Sequence, residues 1–308
     1  MEFKVDYVQV QDGYLMGVDS MIEVVRDYWN NHICETEEHN VQKPHIMQRV
    51  SAHPTFSKEY FQDIENRRYF INPEIHSFAQ FTRYRNKKVL EIGVGSGCDF
   101  VQWCRAGANA YGIDLTPNGI EHATRWLESE RVHGTLQVAN AEALPFDNSQ
   151  FDLVYSWGVL HHSPNPLQAI SEAIRVTKPG GEIKLMLYNR HSFTALGIWG
   201  HINIREKLFP KSLAWSIAHG IESLGTQAFT TTEVRNMLEH FPVEILDIKS
   251  PPIKYDYYFR NGIIIRTLAK VFHYITGSTA GFFMTIRMRK NEPQPITTTK
   301  QPQVVNLR

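Results

Sequence analysis

The sequence predicts an α/β protein: a doubly wound, mostly parallel sheet preceded by a helical cap and interrupted by a helical insertion before its last strands. Three observations carry this expectation. Between residues 87 and 190, short apolar runs alternate with amphipathic segments of helical period; the first run ends in three closely spaced glycines; and two of the intervening helices open on strong side-chain caps. Strands alternating with helices build crossover units whose parallel sheet is covered on both faces. Ligands then bind beyond the carboxyl ends of the strands.

Composition narrows the class. The 308 residues can fill one large domain or two modest ones, and 42% hydrophobic with 21% charged residues is ordinary globular chemistry. Thirty-two basic against thirty-two acidic side chains give zero net charge, so the global positive field of a nucleic-acid binder is absent. The three cysteines, Cys34, Cys98 and Cys104, cannot all pair, which favours a reducing compartment. With no signal-like N-terminus and no apolar run near the roughly 18 residues a membrane span needs, the expected protein is cytoplasmic and makes no stable membrane insertion.

Residues 1–86 form the expected cap. Ser20 and Glu23 are spaced as a capping box opening SMIEVVRDYWN, whose Ile22, Val25 and Trp29 share one face. SKEYFQDIENRRYF reads as a second helix, and Asn72 before Pro73 opens a third with Ile75, Phe78, Ala79 and Phe81 inward. The segment shows no strand pattern. Within the core, 87–190, KVLEIG, ANAYGID, GTLQVAN, FDLVYSW and GEIKLMLYN are the strands. Helices fall near 97–106, 117–130 and 166–176, the last two opened by Thr116 before Pro117 and Asn165 before Pro166. Residues 191–242 read as a helical insertion with a second capping box at Thr230 and Glu233. The last two strands, VEILDIK and FFMTIRMRK, fall within 243–290, and IIIRTLAKVFHYI between them reads as a buried helix rather than a membrane-surface one. The Pro-, Gln- and Thr-rich tail, 291–308, reads as disordered.

The stretch VLEIGVGSG carries the first chemical signal. Gly93, Gly95 and Gly97 let backbone approach a ligand closely, and the helix that follows aims free amides at an anionic group. A dinucleotide fingerprint needs its third glycine where Cys98 stands, so the spacing departs from the nicotinamide pattern. Asp114 ends the second strand 21 residues after Gly93, where a carboxylate can accept both hydroxyls of a ribose. A purely structural role as a helix cap suits it less, because Thr116 holds the better position.

After the third strand comes NAEALPFDNSQFDLVYSWGVLHH, and here the chain resembles the class I S-adenosylmethionine-dependent methyltransferases. The resemblance is closest to the small-molecule branch with the ubiquinone and menaquinone methyltransferases, and it covers about residues 87–190. Its signatures, in order, are E-x-G-x-G-x-G, the acidic strand end, A-E-x-L-P-F, F-D-L-V, V-L-H-H and K-P-G-G. The resemblance implies a Rossmann-like methyltransferase fold with seven strands and S-adenosyl-L-methionine as cofactor. Carried over, Glu91, Gly93, Gly95 and Gly97 line its methionine and ribose, Asp114 holds the ribose hydroxyls, and Leu115 packs on adenine. Asn140, Ala141 and Glu142 take the adenine edge; relatives often have aspartate at the Asn140 position, and an amide oxygen can replace it. Ser156, Trp157 and Gly158 face the methionine near the reactive methyl, while Arg68 (or Arg67) and Tyr69 of the cap reach the cofactor carboxylate and the sulfonium.

His161 and His162 follow the fourth strand and are candidates for a general base, weighed against a packing role. No third ligand accompanies them at a metal-binding spacing, so no metal is expected. A small aromatic or lipophilic methyl acceptor is expected beside Tyr188, Asn189, Arg190 and His191, with aromatic residues of the insertion (Phe193, Trp199, Phe209, Trp215) and of the YDYYF cluster at 255–259 around it. SWGV stands where base-methylating enzymes carry a Pro-Pro-aromatic motif, which argues against nucleic acid. A homo-oligomer is compatible with the sequence. Two rival readings remain: a cofactor-binding protein of this fold with a cyclising or structural role, and an NAD-dependent oxidoreductase.

Overall fold

The computed structural model describes residues 7–9, 15–36, 51–206, 211–258 and 263–292. Each apolar run of the core becomes a strand: β3 (Lys88–Ile92), β4 (Asn109–Asp114), β5 (Thr135–Val138), β6 (Phe151–Trp157) and β7 (Thr177–Tyr188). With β8 (Val243–Lys249) and β9 (Phe283–Lys290) they form one sheet in the order β5-β4-β3-β6-β7-β9-β8. Only β9 runs antiparallel to its neighbours. β3 pairs with β4 on one side and β6 on the other, so the winding reverses there and leaves a crevice beyond the strand ends.

Alternation along the strands sorts side chains between two cores. Val89, Leu153 and Tyr155 face a cluster that includes Trp103 and Trp126, whereas Leu90, Ile92 and Val154 face Ile170, Ile174 and Met284. The helices between strands start where their caps predict. Thr116 accepts from the Gly119 amide and Asn165 from the Gln168 amide, opening α5 (Pro117–Glu130) and α6 (Pro166–Val176), whereas α4 (Cys98–Arg105) starts from Gly97 with no side-chain cap. The insertion folds as α7 (Phe193–Glu206), α8 (Leu213–Gly220) and α9 (Thr231–Leu238), the last with its capping box formed.

The cap departs from expectation in three places. β1 (Tyr7–Gln9) and β2 (Leu15–Gly17) form an antiparallel pair, too short at three residues each to show alternation. α1 runs Val18–Asn31 from Gly17, with no side-chain cap, so Ser20 lies inside the helix and not at its start. α2 is Lys58–Ile71, opened by Ser57; Asn72 closes it, and α3 (Glu74–Ala79) begins only after Pro73. Ile75, Phe78, Ala79 and Phe81 are buried as predicted.

After β8, α10 (Lys254–Tyr258) and α11 (Ile263–Thr276) precede β9. α11 is not buried: Ala269 and His273 face inward, but Val271 and Tyr274 stand 51% and 91% exposed. A stripe that packs on one side only leaves the rest of an apolar helix in solvent. Among the described residues no helix is long and apolar enough to cross a membrane. The tail expected to be disordered lies, past residue 292, outside the described residues, as do Phe209 and Phe259.

One buried cation joins cap to sheet. Lys184 of β7 is fully buried, and its ammonium donates to the Phe78 and Ala79 carbonyls (both 2.9 Å) and to Gln80 Oε1 (3.0 Å). The two carbonyls are orphan acceptors at the end of α3. Burial pulls this ammonium down to about 7, although the Glu182 carboxylate opposes the shift. Lys184→Met is expected to lower stability by about 1–3 kcal/mol, the cost of leaving buried acceptors unpaired. An unfolded lysine titrates near 10.4, so between the two values the unfolded chain binds more protons and stability rises with pH. The advantage of Lys184 over the methionine variant should be full above pH ~10.4 and shrink as pH falls to 7; urea unfolding at both ends of that range checks the sign.

Candidate functional site

The glycine turn after β3 is held by two amides, Gly93 and Val94, donating to the Ile113 carbonyl at 2.8 and 3.0 Å. Gly93, Gly95 and Gly97 all have positive φ, but for different reasons. A Cβ at Gly93 would lie 2.3 Å from a Val159 methyl, and one at Gly97 2.8 Å from Ala123. Those two glycines permit packing. Around Gly95 the nearest atom to such a Cβ is Cys34 Cβ at 3.6 Å, so its bare backbone faces open crevice.

Asp114, at the end of β4, binds this turn. Its Oδ2 accepts from the Gly95 amide (2.8 Å), and its Oδ1 from the Thr116 amide (2.9 Å) and hydroxyl (2.7 Å). Asp114 therefore braces the α5 cap and lines the crevice at once. Burial raises its pKa despite these donors. Further hydroxyl donors would relieve that penalty.

The crevice takes in about 1080 Å³, open solvent at its mouth included, and is lined by Glu91, Gly93, Gly95, Asp114, Leu115, Asn140, Ala141, Trp157 and Gly158, all of them predicted. Ile22, Val25 and Trp29 of α1 close it from the cap side. Five predicted residues sit elsewhere. Gly97 packs on α5, and Ser156 is wholly buried, donating to the Ile92 carbonyl. The Glu142 carboxylate is occupied by the Ser163 hydroxyl and the Asn165 amide, fixing the entry to α6. Tyr69 turns away to Asp99. His161 is wholly buried against the Tyr188 ring, and burial drives its pKa well below the usual imidazole value, so it stays neutral and out of reach.

Arg68 does line the crevice, with most of its fork committed. Nε and Nη2 donate to the two oxygens of Asp99 at 2.8 and 2.5 Å, leaving Nη1 without a bond among the described residues. Asp99 also accepts from Tyr69 (3.1 Å) and Tyr155 (2.9 Å). Beside this network, Glu91 accepts from the Trp103 indole (2.8 Å); burial, reinforced by Asp99, pushes its pKa well above the usual carboxylate range. A buried carboxyl so placed favours a cationic group beside it.

A second cavity of about 600 Å³ adjoins the first, sharing Trp29, Cys34, Arg68, Trp157 and Gly158 as a common wall. Its far side is Ile71, Asn72, Met186, Tyr188, Phe283, Glu35 and Glu222. Of the predicted acceptor residues only Tyr188 reaches it. Asn189 bonds the Thr279 and Gly281 carbonyls, and Arg190 pairs with Glu233. Phe193 packs on Phe272, Trp199 donates to the Lys211 carbonyl, and Trp215 stacks on His219. The aromatic wall comes instead from α1, β6, β7 and β9.

His162 lines the first cavity beside Trp29, with ring centroids 4.9 Å apart. Its Nδ1 lies 3.0 Å from both Ser223 Oγ and Thr226 Oγ1, and its Nε2 3.3 Å from Glu222 Oε2. Glu222, Ser223 and Thr226 were invisible in the sequence, since they follow an apolar helix with no motif spacing. The shared face of Ile22, Val25 and Trp29 was visible, but not that it roofs the crevice.

Removing one member of a buried ion pair strands the other charge, which typically costs about 3–5 kcal/mol. Asp99→Ala is expected to fall in that range by urea unfolding, with a larger loss than Glu65→Gln at the more exposed Arg105 pair.

Residues 90–185 match the methyltransferase domain family. A ubiquinone biosynthesis O-methyltransferase of Coxiella burnetii is 27% identical over 124 residues, 40% of this chain and 53% of that protein. The chain thus spans about half the length of the curated relatives it matches. Among solved structures, a chain from the complex of the Haloferax volcanii Trm112 methyltransferase activator with a methyltransferase aligns with TM-score 0.54 and 17% identity, over 79% of this chain and all of its own. The cyclase SpnF aligns with TM-score 0.51 and 15% identity, over 90% and 96%. These likenesses establish the fold and leave the reaction to the site. The glycine turn, the strand-end Asp114 and the domain match converge on one statement: residues 90–185 match a methyltransferase domain, and the crevice they line is of the kind that implies S-adenosyl-L-methionine as cofactor.

Proposed function

We propose that this protein transfers a methyl group from S-adenosylmethionine to a small, aromatic or lipophilic acceptor by in-line displacement. One observation carries the reading: the nucleoside crevice and a second, largely apolar cavity meet at a common wall of Trp157 and Gly158. A donor bound in one and an acceptor in the other face each other across the end of β6. Bound S-adenosylmethionine supplies a methyl group on a cationic sulfur, so the difficult chemistry resides in the cofactor.

The chain's residues bind and orient. Asp114 suits the ribose hydroxyls, Leu115, Asn140 and Ala141 the adenine, and Glu91 the ammonium of the methionine part. Arg68 Nη1 suits the carboxylate. Trp157, Trp29 and Val25 exclude water from the junction. Holding two reactants in line can lower a barrier by about 7–11 kcal/mol, so alignment supplies much of what the reaction needs. The aromatic wall of the second cavity supports a flat or lipophilic acceptor. The name of the Coxiella relative points the same way. A cyclising role on this fold is the second reading, since SpnF shares it.

Asp114→Ala removes hydrogen bonds to a charged acceptor, each worth about 1.5–3 kcal/mol, so S-adenosylmethionine affinity is expected to fall by ten- to a hundredfold in calorimetry. Unchanged affinity contradicts the ribose assignment. Incubation of the purified protein with S-adenosylmethionine and a panel of hydroxylated aromatics, read by mass spectrometry, tests the reaction itself: cofactor binding with no methylated product across the panel favours the second reading.

A further inference from the structure

The second cavity combines aromatic and aliphatic walls with two carboxylates. Glu35 and Glu222 both line it. Glu35 is turned toward Arg67, whose Nε lies 3.8 Å from its Oε2. Glu222 is held differently: its Oε2 accepts from the Tyr188 hydroxyl at 2.9 Å and faces His162 Nε2 at 3.3 Å. His162 is in turn anchored at Nδ1 by Ser223 and Thr226, both buried. Tyr188 and His162 come from the ends of β7 and β6, so the insertion delivers Glu222 onto two groups fixed by the sheet.

The backbone at Glu222 is unusual. Its φ is +51°, in the left-handed region where glycine or asparagine fits with less strain. Such outliers persist when the surrounding structure holds them and concentrate at functional sites. Here the turn is pinned by the Gly225 amide to the Ala218 carbonyl, the Gln227 amide to the His161 carbonyl and the Phe229 amide to the Tyr188 carbonyl. The turn therefore holds the Glu222 carboxylate at the cavity in a backbone conformation that costs glutamate more than it would cost glycine.

We infer that Glu222, positioned by His162 and Tyr188, is the group that takes the hydrogen of a hydroxyl-bearing acceptor, which makes the substrate class of this cavity an apolar or aromatic alcohol or phenol. The inference rests on the methyl-transfer reading. In the step, the acceptor O–H bond breaks and its proton passes to the Glu222 carboxylate, with His162 Nε2 beside it. The oxygen's electron pair forms the bond to the methyl carbon, and the carbon–sulfur pair returns to sulfur, discharging its positive charge. Two other charged groups line the cavity, Arg68 paired with Asp99 and Glu35 with Arg67. His161, adjoining both His162 and Tyr188, is uncharged through burial.

The test compares a phenol with its methyl ether on the full-length protein saturated with S-adenosylhomocysteine, so that no turnover occurs. Calorimetric titration with 4-nitrophenol and with 4-nitroanisole is expected to show the phenol bound at least tenfold more tightly. Glu222→Gln should shrink that preference to about threefold or less, with S-adenosylhomocysteine affinity within twofold of the wild type. Glu35→Gln should leave the preference intact. Equal binding of phenol and ether by the wild type, or no phenol binding, overturns the inference while S-adenosylhomocysteine binding leaves the methyl-transfer reading standing; this comparison needs no variant. Loss of the preference in Glu35→Gln alone moves the role to Glu35 and also overturns it. Failure of the wild type to bind S-adenosylhomocysteine removes the methyl-transfer reading itself.

Discussion

A carboxylate only 2% exposed survives inside a protein when cations and hydroxyls replace the water it has lost, and Asp99 is surrounded in that way by Arg68, Tyr69 and Tyr155. The partners come from different layers: Asp99 opens α4, the arginine and Tyr69 belong to the cap helix α2, and Tyr155 lies in β6. Their meeting fixes the distance between cap and sheet, and the floor of both cavities lies within that gap. It also sets the local electrostatics. The Asp99 charge reinforces burial in raising both Glu91 and Tyr155, so a buried carboxyl on the crevice wall favours a cation beside it. Desolvating the pair offsets much of its Coulombic attraction, so its clearest consequence is the single docking geometry it permits for the cap.

What the sequence disclosed and what it hid divide along a physical line. Caps, glycine turns and apolar alternation are local signals, written within a few residues, and they located β3 to β7, the helices between them and Asp114 almost to the residue. The errors arose where tertiary context decides. Ser20 and Glu23 have the spacing of a capping box, yet the chain leaves the β1–β2 pair into a helix capped three residues earlier, at Gly17. Gly97 and Glu142 belong to motifs associated with the cofactor, yet one serves helix packing and the other the α6 entry. A motif names residues that build a site; it does not separate those that touch a ligand from those that hold the wall in place. Tyr69 and Ser156 show the same limit.

The insertion hid most. Its helices α7 and α8 are apolar at helical spacing, and that pattern suggested aromatic side chains lining an acceptor pocket. In the fold those aromatics pack elsewhere, Phe193 on Phe272 and Trp215 on His219, because the period that marks a helix also marks its packing face. The segment's contribution is instead the turn that follows α8. Residues 222 to 226 have no periodicity, and the strained φ of Glu222 leaves no trace in composition. Only three-dimensional closure, through backbone bonds to the ends of β6 and β7, brings that turn to His162 and Tyr188.

This arrangement explains why the two cavities share a wall and not merely a border. Gly158 has a φ of +78°, and a Cβ there would approach the Met186 methyl at 3.3 Å, so a bare backbone separates the nucleoside crevice from the cavity carrying Glu222. A larger residue at that point would thicken the partition between the bound groups. Trp29 spans the same junction from above, contacting His162 and lining both spaces. The cap thereby covers both spaces, α1 through Ile22, Val25 and Trp29 on the crevice and α2 through Arg68 and Ile71 on the second cavity.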